Sequence, residues 1–411
     1  MAKLNEIVAM FSDPVITSIL DDLMSNIKES GGMTPRIVRR ASDLLPMEYG
    51  VYRSLLLDVA VGTMRAKRLG KGLEGWLFTN QTAEQATHPQ IASHHASRFS
   101  GRHHVLEICT GAAMDTLALS RTVDHVTSFE ADETVAALAV ANLVRAGISN
   151  ATIIHESWSS EAASTPSSID SIWADPSRRT VSGSRVFDVG LYSPPIDQIL
   201  HYAASRTGSA SQSPLLIGIK TGPGDIIDPD ITEQCSSEYI GFRGECRERI
   251  LWKGAEVSHT LVSLVDAQAS WSPMTRHSPV FDSDVPSEDF LIEPHAAIIA
   301  SGHVEDFLHD VGMSAIDSHI AYGVSSVMPP ASPFYDRFAI HGMDDGVSEK
   351  KIRRRLAELQ WGRQTEFKKR GWPGDPEELR SLLPDEDHRD HGVVFITRRD
   401  QGHVTIFAKR L

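Results

Sequence analysis

The sequence predicts an α/β fold: a domain with a parallel sheet, preceded by a helical domain and followed by a small α+β domain. Three observations predict it. Apolar residues recur at helical spacing near the start, and predicted strands alternate with helices over 78–265. The last segment of the chain combines predicted strands and helices. We expect a helical domain at 1–77, the sheet domain at 78–270, a linker and helical connection at 271–333, and the small domain at 334–411.

The N-terminal segment shows helical signals and no catalytic motif. Ser12 and Asp13 can cap a helix that starts at Pro14, and the following apolar residues repeat at helical spacing. The Gly31-Gly32 pair should end it, a second helix should follow Thr34-Pro35, and a third should cover 52–64. This part is therefore interpreted as a helical cap or docking domain.

The central segment contains five candidate strands, at 104–109, 125–130, 152–155, 168–175 and 214–220. Helical periodicity at 114–121 and 134–146 separates the first three. Because strands that alternate with helices pair in parallel, a parallel sheet is predicted. Short strands near 238–242, 249–253 and 259–265 would add an antiparallel edge.

The last third of the chain is more mixed. Residues 270–286, rich in Ser, Pro and Asp, predict a surface loop, and a helix is expected at 297–311. After a break at 329–333, we expect a strand near Phe338, a basic helix at 348–359, a helix near 376–383, and strands at 393–397 and 404–408. Residues 348–411 carry 15 Lys and Arg against 11 Asp and Glu, although the whole chain has a net charge of −14.

Composition excludes several classes of protein. Hydrophobic residues at 41% and charged residues at 23% describe an ordinary globular chain, and its acidity argues against nonspecific nucleic-acid binding. Three unpaired cysteines favour a reducing compartment. With neither a signal peptide nor a membrane-length apolar run, we expect a cytoplasmic protein without a membrane partner. Adjacent histidines at 94–95 and 103–104 lack further ligands, so no metal is expected.

The first two strands carry a nucleotide-site pattern. Glu107 lies near the end of the first strand, and Gly111 in the following turn permits close approach and positive φ. Glu130 ends the second strand 19 residues after Gly111, the spacing at which an acid accepts ribose hydroxyls in Rossmann-like folds. Asp132 is a competing candidate. The pair favours a nucleoside-binding site.

Further polar residues end the next strands. Glu156 follows the third strand. Its carboxylate could reach an adenine amino group, or it could serve only as a capping residue. Asp175, which precedes Pro176 after the fourth strand, lies where open α/β sheets hold ligands, and the proline fixes its direction. Arg178 and Arg179 could clamp a phosphate or lie solvated.

These motifs, in this order, resemble class I S-adenosylmethionine-dependent methyltransferases, and more narrowly the bacterial group with a C-terminal THUMP-like domain. The resemblance covers roughly Gly75 to Leu411. Its motifs are Glu84-Gln85-Ala86-Thr87 before the first strand, Asp175-Pro176-Ser177-Arg178-Arg179, Ser193-Pro194-Pro195, and Lys368-Lys369-Arg370-Gly371. No single motif is specific, but their combination is.

The resemblance implies S-adenosylmethionine as cofactor and a role for each site residue. Glu107 and Gly111 would hold the methionine end, Glu130 the ribose and Glu156 the adenine, and Asp175 would orient or deprotonate the acceptor. The acceptor would be RNA, because THUMP-like modules are associated with RNA binding. The substrate-binding residues would be Arg178, Arg179, Lys368, Lys369 and Arg370, the last three at a turn.

The first loop departs from the family, since Cys109, Ala113 and Met114 stand where small glycines are common. Met114 would narrow the pocket. This departure and the missing aromatic residue after Asp175-Pro176 favour one alternative, a catalytically silent RNA-binding or regulatory protein. A methyltransferase of a protein or small molecule is another. No motif supports a covalent mechanism through Cys235 or Cys246.

Overall fold

The computed structural model describes residues 2–70, 73–179, 183–206, 215–255, 259–273, 289–383, 390–399 and 402–411. The chain forms two units, one of Met1–Ser237 with Arg249–His259 and one of Glu238–Glu248 with Thr260–Leu411. The four domain boundaries expected from the sequence remain predictions.

The first unit begins with six helices. They are α1 (Ala2–Ser12), α2 (Pro14–Ser30), α3 (Pro35–Leu44), α4 (Arg53–Ala66), α5 (Asn80–Gln85) and α6 (Pro89–Ser97). The capping predictions hold: Asp13 accepts a hydrogen bond from the Val15 amide at 2.8 Å, and Gly31 ends α2 in the left-handed conformation. The apolar faces of α1, α2, α3 and α4 pack together around buried residues such as Phe11 and Leu23.

The sheet of the first unit is built from the predicted alternation. Its elements are β1 (His104–Ile108), α7 (Met114–Ser120), β2 (His125–Glu130), α8 (Glu133–Arg145), β3 (Ala151–His155), β4 (Ser171–Ala174), α9 (Ile196–Arg206), β5 (Leu216–Thr221) and α10 (Pro229–Gln234). The strand order is β3-β2-β1-β4-β5, and all neighbours in it are parallel. Two strands follow in the chain, β6 (Ser236–Phe242) and β7 (Glu245–Lys253). The Arg249–Lys253 part of β7 pairs antiparallel with β5.

The second unit contains the remaining strands and helices. They are β8 (Thr260–Leu264), β9 (Ala269–Trp271), β10 (Phe290–Pro294), α11 (Ala296–Ser301), α12 (Val304–Asp310), β11 (Ser314–Asp317), β12 (Ile320–Ser325), β13 (Tyr335–Asp345), α13 (Glu349–Leu359), β14 (Glu366–Arg370), α14 (Pro376–Leu379), β15 (Val393–Arg399) and β16 (Gly402–Arg410). Seven strands form a sheet in the order β11-β12-β10-β13-β16-β15-β14, parallel only at β14–β15.

Two expectations for the second unit were wrong, and a third was tested only at its start. The single helix expected at 297–311 is two helices, because Gly302 adopts φ 75 and ends α11. The first two residues of the loop expected at 270–286 belong to β9, and residues 274–286 lie outside the described ranges, so the rest of the loop stays a prediction. The basic cluster expected at a turn before Gly371 is the strand β14. No helix in the described ranges is long and apolar enough to cross a membrane.

Candidate active site

The candidate site lies where the strand order in the sheet of the first unit reverses. From β1 the chain proceeds to β2 and β3 on one side, then returns to β4 and β5 on the other. Open α/β sheets bind ligands at such a reversal, outside the carboxyl ends of the strands. The turn after β1 and the segment that starts at Asp175 after β4 therefore border the candidate crevice.

The turn after β1 has an unusual backbone. Cys109, Gly111 and Ala113 have φ of 70, 55 and 63 degrees, so three of its residues lie in the left-handed region. Positive φ at Gly111 was expected, and glycine adopts it without strain. The same conformation costs roughly 1–2 kcal/mol for a residue with a Cβ, so Cys109 and Ala113 are strained.

Glu130 and Gly111, which the sequence paired by spacing, are in direct contact. The Gly111 amide donates to Glu130 Oε2 at 2.9 Å, and the Asp132 amide donates to Oε1 at 3.0 Å. Burial raises the pKa of Glu130 above its ordinary value. Asp132 has a different role, because its Oδ1 accepts the Thr134 and Val135 amides at 2.8 and 2.9 Å and caps α8. Of the two acids, Glu130 is the one that faces the turn after β1.

Glu107 lies beneath this turn rather than at its surface. Its side chain is buried on β1, and the Thr116 hydroxyl on α7 donates to Oε2 at 2.6 Å. Burial raises the pKa of Glu107 to about 8, so the carboxyl is largely protonated at neutral pH. The structure therefore does not expose Glu107 to the crevice.

Glu156 follows β3 and is exposed. Its amide donates to the Glu130 carbonyl at 3.1 Å, and the Ser164 hydroxyl donates to Oε2 at 2.5 Å. The backbone of Glu156 is thus fixed against the end of β2, next to Glu130, as the sequence interpretation requires of both.

Asp175 belongs to a chain of hydrogen bonds that the sequence did not reveal. Its Oδ2 accepts from Lys220 Nζ at 2.9 Å, and the same ammonium group donates to Thr87 Oγ1 at 3.0 Å. Thr87 donates to Asp115 Oδ2 at 2.8 Å, and His95 Nδ1 lies 3.0 Å from Asp115 Oδ1. Asp175 remains 31% exposed while Lys220 is 6% exposed. A buried cation therefore holds one oxygen of the Asp175 carboxylate, while part of the Asp175 side chain remains exposed to solvent.

Two signals could have found these partners. Thr87 belongs to the Gln-Ala-Thr motif, and Lys220 ends β5, whose carboxyl end shares an edge with β4. The parallel register alone predicts that Lys220 and Asp175 are neighbours. Nothing in the spacing of Thr87, Asp115 and His95 indicates that they meet.

Arg178 and Arg179 continue the segment from Asp175. Arg178 is partly buried and Arg179 is exposed, with its guanidinium donating to the Gly183 carbonyl at 3.2 Å. Ser177 pairs with Ser193 through two backbone hydrogen bonds of 2.9 and 3.1 Å. The Ser-Pro-Pro motif therefore lies beside the Asp175 segment.

The three basic residues of β14 divide between two environments in the second unit. Lys368 and Arg370 both pair with Glu293, Arg370 at 3.1 Å. Lys368 also lies over the rings of Phe338 and Phe395, at 5.8 and 5.9 Å. Lys369 is exposed and donates to the Gly374 carbonyl at 2.7 Å. Only Lys369 of the three presents an exposed side chain.

Comparisons with known proteins found relatives of this chain. The family described as "THUMP domain-like" matches residues 346–410. Two Mycobacterium tuberculosis proteins, from strains CDC 1551 and H37Rv, are each 26% identical to the chain over 372 residues, 88% of this chain and 96% of each relative. Both are named uncharacterized S-adenosylmethionine-dependent methyltransferases. The chain is a homologue of S-adenosylmethionine-dependent methyltransferases. The predicted enzyme class, cofactor and THUMP-like domain are confirmed.

A solved structure supports the fold. A crystal structure of a protein from Porphyromonas gingivalis W83, provisionally named a methyltransferase, aligns with a TM-score of 0.71. It is 15% identical, and the alignment covers 96% of this chain and 98% of the other. At this identity the similarity shows the fold alone, and the predicted class I α/β fold is confirmed.

The predicted effect of Met114 on the pocket was wrong. Met114 is 4% exposed and packs in a hydrophobic cluster with Trp76, Ala112 and Leu117. The Trp76 indole also donates to the Ala112 carbonyl at 2.9 Å. The bulk at Met114 thus contributes to the core beneath the turn and does not face the crevice.

Proposed function

We propose that this S-adenosylmethionine-dependent methyltransferase methylates RNA, with Asp175 orienting the acceptor group. The observation that carries the proposal is the Asp175–Lys220 pair at the carboxyl ends of β4 and β5. Lys220 occupies Oδ2, while Oδ1 accepts no hydrogen bond from the residues that the structure describes. A carboxylate with one oxygen anchored and one open can orient an N–H or O–H group and accept its proton.

The residues around the turn after β1 fit the cofactor. Gly111, Glu130 and Glu156 form a continuous edge, since Glu130 contacts both of the others through hydrogen bonds of 2.9 and 3.1 Å. Gly111 offers a surface without a side chain, and Glu130 and Glu156 offer carboxylates to hydroxyl and amino groups. When bound, the cofactor supplies an electrophilic methyl group. The protein positions the acceptor in line with that methyl group, and Asp175 receives the proton of the acceptor.

RNA is proposed as the acceptor because the second unit offers exposed positive charge. Helix α13, within the THUMP-like match, exposes Lys350 and Arg353, which pair with no carboxylate in the described ranges. Lys369 adds a third exposed cation. Lys and Arg side chains neutralise phosphates, which makes such binding depend on salt.

The proposal is tested by incubating the full-length protein with methyl-labelled S-adenosylmethionine and total RNA from a strain that lacks the gene. Nucleosides from the labelled RNA are then identified by mass spectrometry. We expect one labelled nucleoside, absent from RNA incubated with Asp175→Asn. If the protein binds the cofactor but labels only protein or small molecules, RNA is not the acceptor. If it binds the cofactor and labels no substrate, the alternative of a catalytically silent RNA-binding or regulatory protein is supported instead.

A further inference from the structure

Three apolar side chains on the first unit are unusually exposed: Phe187 at 55%, Leu191 at 66% and Ile226 at 69%. The two backbone segments that carry them are joined, because the Ile226 amide donates to the Phe187 carbonyl at 2.7 Å and the Val189 amide donates to the Ile226 carbonyl at 3.3 Å. We call these three residues the rim patch. Exposed apolar side chains on segments joined in this way favour a contact site for a ligand or partner.

Both segments of the rim patch start at the Asp175–Lys220 pair. Phe187 follows Val186, whose amide donates to the Arg178 carbonyl at 2.8 Å, three residues after Asp175. Ile226 lies six residues after Lys220. The two segments therefore start from the ends of β4 and β5, at the proposed catalytic pair, and hydrogen bonds join them again at Phe187 and Ile226.

Buried hydrogen bonds hold the two segments together. Tyr192 is 2% exposed, and its hydroxyl donates to the Asp225 carboxylate. Asp225 Oδ2 also accepts the Gly222 amide at 2.6 Å. Because these bonds join the segment from β4 to the segment from β5, the rim patch is formed before any substrate arrives, which lowers the entropic cost of binding.

The surroundings of the rim patch are basic. The Arg185 guanidinium lies 5.2 Å from the centre of the Phe187 ring, and Arg178 and Arg179 belong to the same paired segments. Within the described ranges these three arginines pair with no carboxylate, in a chain whose net charge is −14. Two acids are also near: Asp188, whose Oδ1 accepts the Gly190 amide, and Asp225, whose carboxylate accepts the Tyr192 hydroxyl. An apolar platform with unpaired guanidinium groups around it suits an aromatic, anionic ligand.

We propose that the rim patch stacks an unpaired nucleobase of a single-stranded RNA, with Arg178, Arg179 and Arg185 on its phosphates. This inference rests on the proposed function and specifies its substrate. Bases in a duplex are stacked on one another, so an exposed aromatic ring reaches only unpaired or extruded bases.

The test measures fluorescence anisotropy of a labelled single-stranded RNA of random sequence, about 12 nucleotides long. The full-length protein is compared with Phe187→Ala, Phe187→Trp and the control Val144→Ala, which removes another exposed side chain, 60% exposed, on α8. We expect Phe187→Ala to weaken binding and raise the RNA Michaelis constant by about tenfold, because one stacked base contributes that much or more. Phe187→Trp should retain wild-type affinity, and Val144→Ala should not differ. Cofactor affinity and melting temperature should stay the same in all variants.

Failure of the inference is distinguishable from failure of the proposed function. If the wild type methylates RNA and Phe187→Ala binds and methylates it equally well, the rim patch does not contact the RNA. Equal affinity for the single strand and for its duplex also overturns the inference. If the wild type methylates no RNA, and Phe187→Ala instead raises the Michaelis constant for a protein substrate, both proposals are overturned.

Discussion

Lys220 Nζ lies 2.9 Å from Asp175 Oδ2, and this ion pair joins the ends of two adjacent parallel strands. Lys220 is almost fully buried, and Thr87 accepts a second hydrogen bond from its ammonium group. A buried cation in this position fixes the carboxylate of Asp175, whose side chain remains partly exposed. The proposed methyl transfer therefore depends on this pair.

Asp175→Asn should leave cofactor affinity nearly unchanged and lower methyl transfer by about 10²-fold, because the proposed base is lost. Lys220→Met should lower transfer as well, and the double variant should be little worse than the worse single one, since the two residues act as a unit. Single-turnover rates and calorimetric cofactor affinities measure both effects. Lys253→Met, which removes a cation bound to Gln234, is the control and should transfer normally. Wild-type turnover in Asp175→Asn would show that Asp175 only shapes the turn.

Glu130→Gln should weaken cofactor binding by roughly 1–3 kcal/mol, the cost of losing a charged hydrogen-bond partner. The glutamine side chain keeps one acceptor oxygen, so its hydrogen bond with the Gly111 amide can be retained. The variant therefore changes cofactor binding without disrupting the turn after β1. Asp132→Asn is the control, because asparagine caps helices nearly as well as aspartate and α8 should be preserved. Calorimetry of both variants decides between the two acids. A loss of affinity in Asp132→Asn alone would reverse the assignment.

The sequence predicted the parallel sheet well because its evidence is local. Each strand from β1 to β5 is a short apolar run bounded by turns, and α7 and α8 show helical spacing between them. The contact between Gly111 and Glu130 was also predictable, since consecutive strands of this fold bring the two strand ends together. Contacts between residues far apart in the chain could not be predicted: Thr87 contacts Lys220, and Asp115 contacts Thr87, only because tertiary packing brings them together.

Strand β14 was not predicted, for a different reason. Its sequence, Glu-Phe-Lys-Lys-Arg, lacks the apolar alternation of a strand, and it was interpreted as an RNA-binding turn. It forms the edge of the seven-stranded sheet, where lysines prevent pairing with other chains. Its partners, Glu293 on β10 and the rings beneath Lys368, are far away in sequence and carry no local signal.

The stability of the cofactor-free protein should depend on pH through Glu107. Burial raises the pKa of this carboxyl in the folded state to about 8, whereas the unfolded chain has the ordinary value of 4.5. Unfolding between these values releases a proton. The contribution of Glu107 is therefore fully present below the unfolded pKa and is lost as pH rises through about 8, with a slope of up to about 1.4 kcal/mol per pH unit.

Urea unfolding over this pH range measures the effect, and Glu107→Gln should abolish that part of the slope because glutamine does not ionise. Thr122→Val, which removes a hydroxyl that donates to the Ala118 carbonyl and not to a carboxylate, should keep the wild-type slope. Identical slopes in wild type and Glu107→Gln would mean that Glu107 is already ionised in the folded protein. If Glu107 also pairs with a cationic group of the cofactor, affinity should rise with pH up to about 8 in the wild type only.

Ala113→Gly should raise the free energy of unfolding by up to about 1 kcal/mol, because Ala113 adopts φ 63, a conformation that glycine tolerates without strain. Ala112→Gly is the matched control, since the same change at the neighbouring residue removes a buried methyl group where φ is ordinary. It should lower stability by roughly 0.5–1 kcal/mol. Chemical denaturation of both variants gives opposite signs. A loss of stability in Ala113→Gly would show that its methyl group contributes more in packing than its backbone costs.

The last prediction separates RNA contacts from structural ion pairs in the second unit. Lys350→Ala with Arg353→Ala should flatten the dependence of RNA affinity on salt by about 0.7 per lost phosphate contact, on a log–log plot. Lys368→Ala should instead lower stability by about 1–3 kcal/mol, because it breaks a partly buried pair with Glu293, and should leave the salt slope unchanged.

The control for the α13 variant is Arg36→Ala with Arg39→Ala on α3, two exposed cations with the same helical spacing and the same change in charge. A purely long-range effect of net charge would alter both double variants equally, whereas phosphate contacts at α13 alter only the first. Anisotropy titrations at several salt concentrations measure the slopes. If Lys368→Ala flattens the slope and the α13 variant does not, the RNA lies against β14, and Glu293 must release Lys368 when RNA binds.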